Sequence, residues 1–382
     1  MGQVLGIIGG GQLGMMLAEA AKNLPNEISE VIVLDPTEGC PASRVGAKQI
    51  IGDFKDEEAI AELVSKSDIL TYEIESGNSD VLKAMESRVK INPSPETLKI
   101  IQDKLLQKTF LSENGLPVPD FIEIKSLTGL QQGIEKFGYP ALLKTRRDAY
   151  DGRGNFKINS QEDIKKAFEH FGEQALMLEK YVDFKKEVSV IAARNTKGEI
   201  ATYPLVENIH EENILMTTIA PARVNEKIIE NAEQIAKKTM NVLKGAGVFG
   251  IEMFVTQNDE ILINEIAPRV HNSGHHTLHS SKTSQFEQHL RAILGMSLGS
   301  TELVHHAVMY NILGSNDFKG KFTTTITDSE AGVFHTMYNK NESKPKRKLG
   351  HINILDIKDS GNIPNMLDKV ERAKKSLKLV SV

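Results

Sequence analysis

GIEMFVTQNDEILINEIAPR, residues 250–269, is the stretch on which the fold turns. Two apolar segments flank Asn258-Asp259, a turn-forming pair, so the stretch reads as two antiparallel strands joined by a tight hairpin. A two-residue turn there sets Phe254 opposite Ile263, Val255 opposite Leu262 and Glu252 opposite Glu265. Like charges directly opposed across a strand pair weaken it. A cation between them reverses the sign, and Mg2+ is held through one or two carboxylates plus phosphate oxygens. Asn264, alongside, is a further oxygen donor. The simpler alternative is two solvated glutamates on one hairpin face, and the apolar neighbours of both favour the metal.

Upstream, ALLKTRRDAYDGRGNF (141–156) places Lys144 at a strand end, followed by Arg146, Arg147, Tyr150, Asp151, Gly152, Arg153 and Gly154. A lysine so placed reaches phosphate oxygens as a point charge, and glycines let backbone close over them. No G-x-x-x-x-G-K-[ST] loop occurs in the chain. An exposed hairpin tip carrying a solvated charge run is the alternative for this segment taken alone.

The N-terminal third alternates strands and helices. VLGII (4–8), VIVLD (31–35) and DILTYEIE (68–75) read as strands. Leu13, Met16, Leu17, Ala20 and Ala21, and then Ile60, Leu63 and Val64, recur at helical spacing. A parallel sheet with helices on its faces follows. Gly9 to Gly14 satisfy G-x-G-x-x-G between strand and helix, and Asp35 ends the next strand. That is the dinucleotide fingerprint, with the helix N-terminus as anion site. NAD(P) binding, a plain glycine turn and a different anionic ligand all remain open on this segment.

NPSPE (92–96) punctuates the chain and a helix runs from there to about Glu113. Beyond LPVPD (116–120), strands and helices group as α+β, with helices near 160–171 and 225–244 and a small β-rich unit over the last ~80 residues. The 382 residues call for two or three domains. A net charge of −5 argues against a general nucleic-acid or anionic-membrane surface, and the single cysteine, Cys40, suggests a reducing compartment. The N-terminus lacks a basic leader and is too glycine-rich to span a bilayer, so the chain reads as soluble and cytoplasmic.

Together, GGGQLGMM (9–16), LKTRRDAYDGRGN (143–155), EKYVDFKKEVSV (179–190), NEIAPRVHNSGHHT (264–277) and SQFEQHLRA (284–292) resemble the N5-carboxyaminoimidazole ribonucleotide synthetase family of the ATP-grasp superfamily. The resemblance runs from residue 4 to about 353. It implies a Rossmann-like pre-ATP-grasp α/β domain over 1–102, an ATP-grasp domain over 103–300 with a lid subdomain at about 120–185, and a C-terminal β-rich domain over 301–382. It implies ATP and Mg2+ as cofactors, bicarbonate and 5-aminoimidazole ribonucleotide as small-molecule substrates, and a homodimer.

By the same resemblance Lys104 and Lys144 touch the ATP phosphates, and Ala149, Tyr150, Asp151, Gly152, Arg153, Gly154 and Asn155 form the covering loop. Glu179, Lys180, Tyr181 and Val182 line the adenine, Glu187 holds the ribose, and His210 and Asn264 belong to the nucleotide site. Glu252 and Glu265 match the magnesium ligands, in agreement with the hairpin reading. Arg269, His271, Asn272 and Ser273 match the bicarbonate region. Lys340 and Arg347 match the grip on the substrate's 5′-phosphate, and Gln12 and Glu73 face the aminoimidazole ribonucleotide. Lys144, Tyr150, Arg153 and Arg269 are the implied catalytic residues. The chain departs from the family with Ala149 for a usual Gly, Asn155 for Gln, and Ser76-Gly77 after Glu75.

His271, His275, His276 and His279 invite a zinc reading. No cysteine is near and Glu265 is assigned, so the expectation is a hydrogen-bonding His271 beside the anion and structural roles for the others. Three rival functions stand: another ATP-grasp ligase using formate or biotin, an NAD(P)-dependent oxidoreductase, and a non-catalytic nucleotide sensor.

Overall fold

Apolar runs short enough to be strands, separated by one-sided helices, build the first layer. β1 (Gln3–Ile8), β2 (Ile28–Leu34), β3 (Lys48–Ile50), β4 (Ile69–Tyr72) and β5 (Lys90–Ile91) form a parallel sheet in the order β3-β2-β1-β4-β5. The computed structural model describes residues 2–148, 154–328, 330–358 and 361–381. Both sheet faces are covered, which is why these strands are apolar throughout. Leu5, Ile7 and Val33 pack with α1 (Gln12–Ala21). Ile8, Leu34 and Leu70 pack with α2 (Glu57–Ser65), α3 (Ser79–Met85) and α4 (Pro95–Gln102). β3 and β5 escaped the sequence reading because two or three residues carry no periodicity. The strand expected over 68–75 stops at Tyr72, so Glu73 and Glu75 stand in the loop beyond it.

The single helix expected up to Glu113 is two. Asp103 is extended (φ −110°, ψ 110°) and its carboxylate accepts from Leu105 N at 3.0 Å and Leu106 N at 3.3 Å, capping α5 (Lys104–Glu113). A capping carboxylate satisfies amides that the helix leaves free. The same group takes Arg146 Nη2 at 2.7 Å, and Lys104 N donates to Arg146 O at 2.8 Å. The start of α5 is thereby tied to the following unit, an antiparallel sheet in the order β6-β9-β7-β8. Its strands are β6 (Phe121–Ile124), β7 (Ala141–Thr145), β8 (Asn155–Ile158) and β9 (Leu176–Lys180). α6 (Leu127–Phe137) and α7 (Gln161–Phe171) share one apolar cluster with it.

The largest sheet is antiparallel. β10 (Phe184–Arg194), β11 (Ile200–Thr202), β12 (Val206–Glu211), β13 (Ile214–Ala220), β14 (Gly247–Thr256) and β15 (Ile261–Ala267) form it, backed by α8 (Glu226–Leu243). Ile228, Ala232, Ala236 and Met240 recur every four residues on the buried side of α8 and meet Phe249, Ile251 and Met253. α9 (Thr277–Ser280) and α10 (Gln285–Ile293) follow.

The C-terminal segment is not a separate sheet. β16 (Ala307–Leu313) pairs with β13, so β16, β18 (Val333–Met337) and β20 (Lys348–Leu355) extend the central sheet to nine strands. β17 (Gly320–Ile326), β19 (Glu342–Ser343) and β21 (Leu377–Ser381) make a small side sheet, and α11 (Ile363–Ser376) packs on β16 and β20. Among the described residues no helix is long and apolar enough to cross a membrane.

Phe249 is fully buried between α8 and the sheet. Phe249→Ala is expected to lower the unfolding free energy by about 3–5 kcal/mol, read as an earlier denaturant midpoint, whereas Ile209→Ala at a 37% exposed position stays within about 0.5 kcal/mol.

Candidate active site

Glu252 on β14 and Glu265 on β15 are Cα partners in the ladder, but the path to that pairing differs from the sequence reading. The hairpin loop is longer than Asn258-Asp259. Thr256 N bonds Glu260 O at 2.9 Å and Asp259 sits at φ 66°, so three residues turn the chain. Three-residue loops of this kind place their last residue in the left-handed region. Val255 therefore faces Ile261 and Phe254 faces Leu262, each one residue off the expectation. A register shift between Glu252 and Met253, which leaves Asn264 unpaired, cancels the difference. The bulge keeps Glu252 and Glu265 paired, with Glu265 directed at Lys104 of α5 and Glu252 at His271.

Each carboxylate of the pair has a nitrogen partner at hand. Lys104 Nζ lies 2.7 Å from Glu265 Oε2, and His271 Nε2 lies 3.1 Å from Glu252 Oε1. Lys104 overcomes the opposing effect of burial and holds Glu265 down to about 2. Nearby, Glu179 is buried between Lys144 (2.8 Å) and Lys108 (2.9 Å). Burial raises its pKa, but the two lysines more than reverse this and hold it at about 2. Lys104, Lys108, Lys144, Glu179, Asn264 and Glu265 line one cleft. The Glu179 side chain thus faces the lysines; Lys180 instead points outward to Asp120, 3.7 Å away. Tyr181 carries Lys157 over its ring at 4.1 Å. Val182 follows them directly.

His271 is held from behind by a chain of polar groups. Thr218 Oγ1 donates to Asn208, Asn208 donates to Ser189 Oγ (2.9 Å), and Ser189 Oγ donates to Ser273 Oγ (2.8 Å). Ser273 Oγ meets His271 Nδ1 at 2.9 Å, which leaves Nε2 aimed at Glu252. Gly250 makes room, since a Cβ there would lie 2.5 Å from the His271 ring. Ser273 is fully buried behind His271, and the side-chain amides of Asn272 and Asn311 exchange two hydrogen bonds, at 3.1 and 2.7 Å. Glu187 Oε2 lies 2.5 Å from His210 Nδ1, and this bond outweighs burial in raising the histidine's pKa.

A second cluster sits at the glycine loop. Gly10 N donates to Asp35 Oδ2 at 2.9 Å and Gly11 N to Glu73 Oε1 at 2.6 Å. A Cβ on Gly9 or Gly11 would fall within 2.7 Å of the Glu73 side chain. The glycines therefore seat the chain's own carboxylates on amides that a dinucleotide would need, which disfavours NAD(P) here. Burial pushes Glu73 up to about 7, against the pull of Lys340, the Gly11 amide and Arg269. Gln12 opens α1 beside it. Lys340 is close enough to Glu73 for the carboxylate to oppose the lowering that burial imposes on it. Arg347 donates to Glu342 O at 3.1 Å, and Arg44 meets Asn341, bringing the C-terminal segment over the first domain.

Arg269 joins the two clusters. Its Nη2 is 2.7 Å from Glu75 Oε1, and its buried Nε has no partner among the described residues. A buried guanidinium with a spare donor suits a carboxylate-like anion. His289 on α10 ties the same layers together, bonding Thr71 Oγ1 at 2.8 Å and accepting from Val248 N at 3.0 Å.

His275, His276 and His279 bond Gln285, Ser280 and Asn353 respectively, and burial lowers all three pKa values. Among the described residues no group of three His, Cys, Asp or Glu is disposed to hold a metal. A cation at Glu252 and Glu265 draws its remaining ligands from a substrate, as Mg2+ does. The donor set fits that ion. Ala149, Tyr150, Asp151, Gly152 and Arg153 lie outside the described residues. Gly154 N–C flanks the loop at φ 81°, and Asn155 pairs with Lys144 across β7 and β8.

Comparison with known proteins adds a second line of evidence. The ribonucleotide synthetase preATP-grasp domain matches residues 1–102, the ATP-grasp domain 109–286 and the phosphoribosylaminoimidazole carboxylase C-terminal domain 307–360. N5-carboxyaminoimidazole ribonucleotide synthetase from Thermotoga maritima is 44% identical, with both chains covered in full and a TM-score of 0.87. N5-carboxyaminoimidazole synthase from Aspergillus clavatus, in complex with ADP and 5-aminoimidazole ribonucleotide, is 35% identical over 97% of this chain and 99% of that one, at a TM-score of 0.87. The phosphoribosylaminoimidazole carboxylase of Ogataea methanolica is 41% identical over 92% of this chain. The chain spans about two thirds (66%) of the length of that yeast protein.

Glu73 supplies a pH test. Its folded carboxyl keeps a proton to about pH 7, while the unfolded chain releases it near 4.5. The stability it contributes is full below 4.5 and is lost as pH rises through 7. Relative to Glu73→Gln, the unaltered protein is expected to lose roughly 1–3 kcal/mol of unfolding free energy between pH 4.5 and 7.5 in denaturant titrations. Parallel pH profiles contradict this.

Proposed function

This chain belongs to the N5-carboxyaminoimidazole ribonucleotide synthetase family of ATP-grasp proteins, and from that membership we infer its reaction. It carboxylates 5-aminoimidazole ribonucleotide with bicarbonate at the expense of ATP, giving N5-carboxyaminoimidazole ribonucleotide, ADP and phosphate, a step of purine synthesis. The observation that carries this reading is the cross-strand Glu252–Glu265 pair facing Lys104 and Lys144, with Arg269 bridging to the Glu73 cluster.

Bicarbonate oxygen attacks the γ-phosphorus of ATP, and the bond to the β-phosphate oxygen breaks to release ADP and carboxyphosphate. Mg2+ held by Glu252 and Glu265 supplies charge neutralisation on the phosphates when bound. Lys104 and Lys144 add fixed positive charge, and no protein nucleophile is needed. Glu179 to Val182, Glu187, His210 and Asn264 form the rest of the nucleotide site. Arg269, His271, Asn272 and Ser273 hold the bicarbonate-derived anion, with Ser273 also orienting His271. Gln12, Glu73, Lys340 and Arg347 hold the ribonucleotide, whose exocyclic amine takes the carboxyl group as a carbamate. Carboxyphosphate hydrolyses readily, so the site must exclude water, and family membership gives residues 149–155, Tyr150 and Arg153 among them, that role. The working assembly is a cytoplasmic homodimer.

With ATP, Mg2+ and bicarbonate, 5-aminoimidazole ribonucleotide is expected to stimulate ADP release. Glu265→Gln is expected to cut that rate by roughly a hundredfold or more while the fold persists. ADP release that ignores the amine removes the assignment. Activity with formate in place of bicarbonate favours the transformylase alternative, and tight NADH binding favours the oxidoreductase.

A further inference from the structure

Lys108 has no role in the reaction described above, yet it is among the most enclosed charges in the cleft. It lies one turn after Lys104 on α5, so both ammonium groups leave the same side of the helix. Its side chain is 3% exposed; Nζ is 2.9 Å from Glu179 Oε2 and donates to Ile263 O at 3.2 Å. The other oxygen of Glu179 holds Lys144 Nζ at 2.8 Å. One buried carboxylate is therefore shared by two lysines that line the same cleft, Lys144 near the end of β7 and Lys108 on α5.

That sharing matters when a nucleotide binds. A phosphate that attracts Lys144 draws it away from Glu179. A carboxylate only 1% exposed is costly to leave without a counter-ion, and breaking a buried pair by removing one partner is strongly unfavourable. Lys108 is tethered on its other side by the Ile263 carbonyl and is only 3% exposed. We propose that Lys108 is a positioning residue: a stationary counter-ion that keeps Glu179 compensated so that Lys144 is free to move onto the nucleotide phosphates. The proposal rests on the reading of this cleft as an ATP site. The mutual dependence of the group agrees with it: burial pulls Lys108 down to about 8 against the pull of Glu179, and the two lysines keep Glu179 ionised.

The test uses the full chain, Mg2+ and the non-hydrolysed analogue AMP-PNP, with affinity read by calorimetry beside steady-state kinetics. Lys108→Met keeps the stem and removes the charge. It is expected to weaken AMP-PNP binding and raise KM for ATP about tenfold or more, while KM for 5-aminoimidazole ribonucleotide stays within about twofold. Lys108→Arg keeps the positive charge and is expected to bind AMP-PNP within about threefold of the unaltered chain. A folded Lys108→Met protein of normal affinity overturns the proposal, as does a Lys108→Arg protein that binds as weakly as Lys108→Met. If Lys108→Met does not fold, Lys108→Gln decides in its place: an affinity lowered about fivefold or more supports the proposal, and any smaller loss overturns it. Failure of the unaltered chain to bind AMP-PNP removes the ATP reading itself, and this proposal with it.

Discussion

Two carboxylates set face to face across a hydrogen-bonded strand pair repel each other, and the structure around Glu252 and Glu265 is organised to answer that repulsion. Neither group is left alone. Lys104 comes from the first residue of α5, at a helix end made by the Asp103 cap. His271 comes from the loop after β15 and is oriented by a buried chain of hydroxyls and an amide. Asp103 also clamps Arg146, just beyond the end of β7, so one side chain fixes both the start of α5 and the exit of that strand. A divalent cation carrying phosphate oxygens would reverse the sign of that repulsion. The site is thus built of polar pairs, Lys104 with Glu265 and His271 with Glu252.

The second consequence concerns reach. A reaction in two stages needs the phosphorylating centre and the amine-binding centre to share a wall. Arg269, just beyond the end of β15, meets Glu75 in the loop beyond β4. His289 fixes β4 against β14 through Thr71 and Val248. The C-terminal segment bearing Lys340 and Arg347 closes over α1 because β16 continues the central sheet instead of starting a new one. These contacts bring four stretches of the chain, remote in sequence, to a common cleft.

Much of this was legible in the sequence and some of it was legible for the wrong reason. Alternating apolar runs and helical periodicity gave the parallel sheet, because a strand covered on both faces has no other composition available. The acid pair was found by assuming a two-residue turn. The actual loop is one residue longer, and the unpaired Asn264 restores the pairing. Nothing in NDEILINEI marks a bulge, since the ladder shift is decided by what the carboxylates meet. The glycine loop carries a dinucleotide fingerprint, but the fingerprint reports only where backbone must come close. Here it is the Glu73 side chain that approaches. Asp103 and Lys108 were invisible as site residues because each also fits an ordinary helix, one as a cap and one as a polar position. Glu187–His210 depends on the pairing of β10 with β12, which no local pattern reveals.

The central claim is that Glu252 and Glu265 jointly hold a divalent cation on the triphosphate. Crystals grown with Mn2+ and AMP-PNP, measured at the manganese absorption edge, test it most directly. The account expects an anomalous peak between the two side chains, about 2.1–2.3 Å from an oxygen of each, with the remaining ligands from phosphates or water. Bound nucleotide with the peak elsewhere, or with either carboxylate turned away from the ion, would contradict it.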